Sequence, residues 1–292
     1  MIRHKFKLLS FKKKMKPLHF IIACSVALFS ACTPKKKSIA IIELPNIMEE
    51  TSGLASFGNN FLSHNDSGGS ASLYEFDDYG TLVSEHPIIG AVNRDWEDLA
   101  EDENYFYIAD IGNNGGKRKD LTVYKTTKDF KLKDSIKIKY QKQRSFERNK
   151  KTKYNAETLI SVGDSLVIFS KNMKSMNTHL YVFPKEGGSY SLSSRKKFKI
   201  NTLITGGDYH EESQRLVLTG SRQDGSNYLL KAEKFKLEQP DSIKFELFPL
   251  PFEHAQVEAI KIKKNKEVWI SSEGEGLSIP FLYRVDFDYL KK

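Results

Sequence analysis

The sequence predicts an all-β chain folded as a five-bladed β-propeller with four antiparallel strands per blade, six blades being the alternative. Three observations predict it. First, a pattern of polar turn, strand, tight turn, strand and polar loop recurs five times along the 292 residues. It opens at Thr51-Ser52-Gly53-Leu54, Trp96-Glu97-Asp98-Leu99, Ala156-Glu157-Thr158-Leu159, Thr205-Gly206-Gly207-Asp208 and Val257-Glu258-Ala259-Ile260. Aligned on these openings, Ser52, Glu97, Glu157, Gly206 and Glu258 form one column at spacings of 45, 60, 49 and 52 residues, and periods of this length mark repeated supersecondary units. Second, each repeat carries short runs of Val, Ile, Leu, Phe and Tyr alternating with polar residues between Gly, Asn and Asp turns, the pattern of strands. Third, the last repeat is one strand short, while one extra strand-like run precedes the first.

The chain opens with a leader. Residues 1–37 hold 10 of the 46 basic residues and none of the acids, which leaves 36 basic against 37 acidic residues, a net charge of −1, for the remainder. The basic pI therefore belongs to the leader and gives no support to nucleic-acid binding. Lys12, Lys13, Lys14 and Lys16 form a positive n-region and Leu18–Phe29 an apolar h-region, as in a signal peptide. Met15 offers a second start that gives a leader of ordinary length. The segment ends in Phe29-Ser30-Ala31-Cys32, which resembles a bacterial lipobox whose cleavage leaves a lipidated Cys32. The alternative is an uncleaved anchor, for which the apolar run is short. The expected division is signal peptide at 1–31, lipidated tether at 32–38 and propeller at 39–292. Lipidation places the protein in the bacterial cell envelope as an outer-membrane lipoprotein, periplasm-facing because no acidic export tag follows Cys32. Cys24 and Cys32 are the only cysteines, so no disulfide or thiolate metal site is available to the folded part.

The blades follow in order. Blade one is read at Gly53–Phe57, Asn60–His64, Ser72–Phe76 and Thr81–His86. Blade two takes Leu99–Glu101, Tyr105–Ala109, Leu121–Thr126 and Ser135–Tyr140, and blade three Thr158–Val162, Ser165–Ser170, His179–Phe183 and Lys196–Ile200. Blade four takes Gly207–His210, Arg215–Thr219, Tyr228–Lys234 and Ser242–Pro249. Blade five has Ala259–Lys263, Glu267–Ser271 and Phe281–Phe287, and Ile39–Leu44 is expected to pair with Phe281–Phe287 and close the ring. Closure removes two open sheet edges. No second domain is expected, and the chain reads as a monomer.

In such a ring the first strand of each blade lines the channel and the second runs back. The start of the first and the end of the second therefore share one rim. That rim gathers the column with His64-Asn65-Asp66-Ser67, Asp110, Lys171, Arg222 and Glu273. Glu97, Glu157 and Glu258 at one phase would repel one another unless a cation intervened. Ca²⁺ takes ~6–8 oxygen ligands, so the expected set is Glu97, Glu157, Glu258 and the Ser52 hydroxyl, with a carbonyl or water at Gly206. The alternative is that each Glu is a solvated turn residue. Asp66 and Asp110 are the general-base candidates and Lys171 and Arg222 the charge clamps, although Asn65-Asp66-Ser67-Gly68-Gly69 also suits a tight loop on structural grounds alone. His64 reads as a hydrogen-bonded structural histidine and Trp96 as a packing residue. Ser67 lacks the partner order of a serine hydrolase. The basic segment Gln141–Tyr154 is either a solvated loop or a lid that attracts an anion.

The motifs Asn65-Asp66-Ser67-Gly68-Gly69, Asp95-Trp96-Glu97-Asp98-Leu99-Ala100 and Ala109-Asp110-Ile111-Gly112-Asn113-Asn114 resemble those of extracytoplasmic bacterial propellers of the phytase-like or esterase-like kind. The five-repeat plan is more distantly similar to the calcium-activated nucleotidases (apyrases). That resemblance implies a Ca²⁺ in the channel held at Ser52, Glu97, Glu157 and Glu258. The arginine-bearing phosphate motif of that family has no clear equivalent here. Two functions follow as expectations. One is a Ca²⁺-dependent hydrolase of a small anionic substrate such as a phosphoester. The other is a non-enzymatic propeller that binds a glycan, peptide or envelope protein and carries a structural cation.

Overall fold

In the computed structural model the described residues are 39–252, 254–263, 267–274 and 279–287. The signal peptide, Cys32 and the tether lie outside them. Five small sheets form a ring, so the five-blade count holds and the six-blade alternative does not. The first strands are Thr51–Phe57, Trp96–Glu101, Asn155–Val162, Leu203–His210 and Val257–Lys263. They pack against one another around the channel. The ring closes through Ile39–Glu43, which pairs antiparallel with Phe281–Asp286 in the register Ile39↔Val285 to Glu43↔Phe281.

Propeller sheets bury both faces, which is why the strands are apolar on alternate and often consecutive residues. Five apolar clusters result, each shared by two neighbouring blades. Phe61, Phe76 and Trp269 join blades one and five. Leu62, Trp96 and Phe106 join blades one and two. Tyr107 and Ile168 join blades two and three, Phe169 and Leu218 blades three and four, and Val217 and Val268 blades four and five.

Adjacent inner strands share no ladder, so side chains satisfy their edge amides. Ser52 Oγ donates to the Glu97 carbonyl at 2.7 Å and Glu101 Oε1 accepts the Ser56 N–H at 2.9 Å. Asp98 Oδ2 accepts the Leu159 N–H and Asp208 Oδ2 the Ile262 N–H, both at 2.8 Å. Gly53 sits at φ +69°, where a Cβ would come 2.6 Å from the Leu99 nitrogen and 2.7 Å from His64 Nε2. Only glycine allows blades one and two to approach this closely.

Two features depart from expectation. Gly188–Leu192 forms a strand that leaves blade three and adds in parallel to Leu132–Tyr140, giving blade two a fifth strand. The inner strands also begin earlier than read, so the column lies within them, and at or beside the column every one of them carries a β-bulge. The shifts fall between Ser52 and Ala55, Trp96 and Asp98, Ala156 and Leu159, Ile204 and Gly206, and Val257 and Ala259. In blade four the residue in the bulge is therefore Thr205. The alignment on Gly206 is one residue out of phase, and a hydroxyl rather than a gap stands in the column.

Candidate functional site

A bulge sets two residues opposite one and re-aims the side chain it carries. Here it turns Glu97, Glu157 and Glu258 out of the ladder, and all three are buried. Asp66 joins them because its loop is tied to the next blade: the Asp66 N–H donates to the Glu50 carbonyl at 2.9 Å, and the Asp66 carbonyl accepts the Trp96 N–H at 3.3 Å. Asp95 lies two residues before Glu97 and is fixed from the other side. Its N–H donates to Asp110 Oδ1 at 3.1 Å, and its carbonyl accepts the Gly112 N–H at 3.1 Å.

The outcome is a triad. Asp66, Asp95 and Glu97 each offer a carboxylate oxygen, all within 4.8 Å of one another. Glu97 is 3 % exposed, and its Oε1 is buried without a protein hydrogen-bond partner. Gly112 flanks the triad; a Cβ there would overlap Glu97 Oε1 and the Asp95 carboxylate. The absent side chain makes the space in which these two carboxylates converge.

Electrostatics follow from burial and crowding. Asp66 is pushed up to about 8 by burial, then by Asp95, Glu157, Glu258 and Glu50. Burial lifts Asp95 to about 6 against the pull of Arg118. Burial, then Glu157, Asp66 and Asp95, raise Glu97 well above the carboxylate range, with Lys171 opposing. Burial likewise raises Glu258, with Lys171 opposing and Glu157 and Glu273 adding to the rise. Glu273 reaches about 8 through burial, Asp66, Glu50 and Glu157. In each case the cause is the cost of placing several negative charges in one poorly solvated space. Lys171 is the cation within the group. Burial disfavours its charge, but Glu157 and Glu258 outweigh that and hold it above the usual lysine range. It forms an ion pair with Glu157, whose other oxygen accepts from Asn155 Nδ2 at 3.1 Å.

The expected site residues thus divide. Glu97, Glu157, Glu258, Asp66 and Lys171 lie in one electrostatic neighbourhood. The Ser52 hydroxyl is beside them but is engaged with the Glu97 carbonyl. Asp110 is buried and held by Arg118 Nη1 at 2.8 Å, so it braces Asp95 from behind. Arg222 stays on blade four, donating to the Asn201 carbonyl at 3.0 Å and the Tyr228 hydroxyl at 2.8 Å. His64 is fully buried, edge-on to Trp96 at 5.4 Å, and burial lowers its pKa to about 4, so it is neutral and structural. Asp95, Arg118 and Glu50 were not singled out from the sequence. Asp95 lies in the bend just before the strand Trp96–Glu101, so strand alternation gives no signal for it.

No protein-family model matches the chain, and no curated protein matches it. Among solved structures it is similar to the exo-β-1,3-galactanase of Phanerochaete chrysosporium, at 10% identity and TM-score 0.52, covering 81% of this chain and 60% of that one. It is also similar to the PQQ-bound aldose sugar dehydrogenase of Streptomyces coelicolor, at 11% identity and TM-score 0.46, covering 86% and 99% of the two chains. A third is the NanB sialidase of Streptococcus pneumoniae, at 12% identity and TM-score 0.44, covering 75% and 36%. At these identities the likeness is one of fold, and function has to be argued from the site.

Proposed function

We propose that the chain is a lipid-anchored envelope protein whose propeller rim binds one Ca²⁺ and hydrolyses a small anionic substrate such as a phosphoester. The observation that carries this reading is the Asp66–Asp95–Glu97 triad with its buried, unpartnered Glu97 oxygen. The donors are all oxygens, which suits a hard cation and not zinc. Their mutual separation within 4.8 Å matches the width of a Ca²⁺ shell, about twice 2.3–2.6 Å. Asp66 and Asp95 are only partly buried, so two of the three residues keep contact with solvent.

A bound Ca²⁺ supplies Lewis-acid polarisation of a phosphoryl oxygen and neutralises its charge. The remaining roles fall to the chain. Glu97, Asp95 and one oxygen of Asp66 would hold the cation, with Asp110 and Arg118 fixing Asp95. Lys171, pinned by Glu157, keeps a positive charge beside the triad. Asp66 Oδ1, which has no protein partner, is placed to orient an attacking water and accept its proton. Arg222 has no part.

The test is phosphate release from a phosphoester panel by the full chain, with Ca²⁺ and with chelator. Release that needs Ca²⁺ and is lost in Glu97→Gln supports the reading. A chain that Ca²⁺ stabilises but that hydrolyses nothing is the binding propeller with a structural cation.

A further inference from the structure

A concave feature opens on blade three. It is a cleft of about 540 Å³ built by the 141–154 segment together with residues 172–179 and Lys197. Its size lies within the ~300–1,000 Å³ of small-molecule sites. The segment is ordered by its own bonds. Gln143 Nε2 donates to the Gly116 carbonyl at 2.8 Å, the Asn149 N–H to the Gly115 carbonyl at 2.8 Å, and the Tyr154 hydroxyl to the Lys142 carbonyl at 2.7 Å. Gln143 and Thr152 are 8% and 4% exposed, so the loop packs inward and holds its cationic residues around the cleft.

Six cationic side chains line it: Lys142, Arg144, Lys151, Lys153, Lys174 and Lys197. Glu147 is the single acid among the lining residues, giving a net charge of +5. None of the six makes an ion pair among the described residues, whereas Lys171, Lys185 and Lys261 elsewhere all do. Like charges held around a concavity repel and leave a strong positive potential. His179 in the wall reports that potential: burial first, then Lys197, Lys153 and Lys142, lower its pKa. The cleft also adjoins the triad's surroundings. Asn155 and Lys171 pair across the first two strands of blade three and face the carboxylates, and their neighbours Tyr154 and Asn172 line the cleft.

We infer that this cleft is a binding site for a small molecule carrying about three phosphate groups. Charge density selects the class. A ligand that neutralises the lining brings about five negative charges, and a phosphate monoester carries about −1.5 to −2 at neutral pH, so three groups suffice. A carboxylated compound would need five acids in the same space. The inference rests on the cleft and not on the cation, so it can fail or hold independently of the hydrolase reading.

The experiment is calorimetric titration of the full chain with inorganic tripolyphosphate in chelator, so that no metal contributes. Tripolyphosphate is expected to bind, to weaken as salt rises, and to bind at least ~10-fold more tightly than orthophosphate. Charge-assisted bonds are worth ~1.5–3 kcal/mol each, so Arg144→Ala with Lys153→Ala should weaken binding by ~100-fold or more without changing the melting temperature. Lys197→Glu, on a different element, should weaken it as well. Lys133→Ala with Lys236→Ala, outside the cleft, should leave it unchanged. Absence of tripolyphosphate binding at low salt, equal loss in the outside pair, or equal affinity for orthophosphate would each overturn the inference. So would a heparin fragment that binds where tripolyphosphate does not, because the ligand would then be a polyanionic glycan.

Discussion

Gly112→Ala isolates the cation from the fold. The new methyl would overlap Glu97 Oε1 and the Asp95 carboxylate. Restoring contact near 3.5 Å requires both carboxylates to withdraw by about 1 Å. They are the ends of flexible side chains, and Gly112 is not among the residues at positive φ, so the backbone accepts alanine without strain. The fold should therefore survive with little loss of stability. Cation binding should not, because Ca²⁺ distances span only about 0.3 Å. With Ca²⁺ at a hundred times its dissociation constant, a ligand specific to the folded state contributes about 2.7 kcal/mol. In a domain of ~250 residues that is worth about 5–10 °C in melting temperature. Thermal denaturation with Ca²⁺ and with chelator should show this difference in the parent chain and less than ~2 °C in Gly112→Ala. A variant that keeps the full Ca²⁺ shift would refute the placement of the ion between Glu97 and Asp95.

Three further outcomes are expected, two from the structure and one from the leader sequence. Asp66, Asp95, Glu97 and Glu273 have folded pKa values above those of the unfolded chain. Their favourable contribution is complete below about pH 4; that of Asp66, Asp95 and Glu273 is lost as pH rises through about 6 to 8, and that of Glu97 as pH rises through its own raised value. In chelator the melting temperature should therefore fall between pH 5 and pH 8, and Ca²⁺ should abolish the fall; a flat chelator profile would contradict the crowding. Lys261 is buried between Asp208 and Glu101, 3.0 Å from each. Lys261→Met should cost up to ~3 kcal/mol because it leaves the half-buried Asp208 without its cation while Glu101 keeps Lys128, read as a lower denaturant midpoint; a loss under ~1 kcal/mol would show that the trio contributes little. Cys32→Ala should release the protein from membranes or leave an unprocessed precursor, and unchanged fractionation and mass would dismiss the anchor.

The ring was legible because its cause is local and repeated. Each blade restates the same alternation, and Ile39–Glu43 could be assigned to the last blade because that blade lacked a fourth strand. The column was legible as far as apolar neighbours fixed its phase. Glu97 and Glu258 are followed by Leu99 and Ile260, which must enter the core. Thr205-Gly206-Gly207-Asp208 has no such anchor, and only the pairing of Ile204 with Gly220 and Gly206 with Thr219 reveals that Thr205 is the bulged residue. Asp95 escaped notice because a search for one residue per blade passes over a loop neighbour. Its place is set by Asp110 and Arg118, more than a dozen residues away, as its own local sequence does not show. Gly188–Leu192 has too little apolar content to announce a strand. It is one because Leu132–Tyr140 presents an open edge.

Whether a cation sits among Asp66, Asp95 and Glu97 is decided by diffraction from crystals grown with Mn²⁺ in place of Ca²⁺. One anomalous peak is expected on the channel rim, within about 2.0–2.6 Å of oxygens from all three carboxylates, with its loss in Glu97→Gln. A rim without such a peak in the parent chain, or a peak whose ligands leave out Glu97, would contradict it.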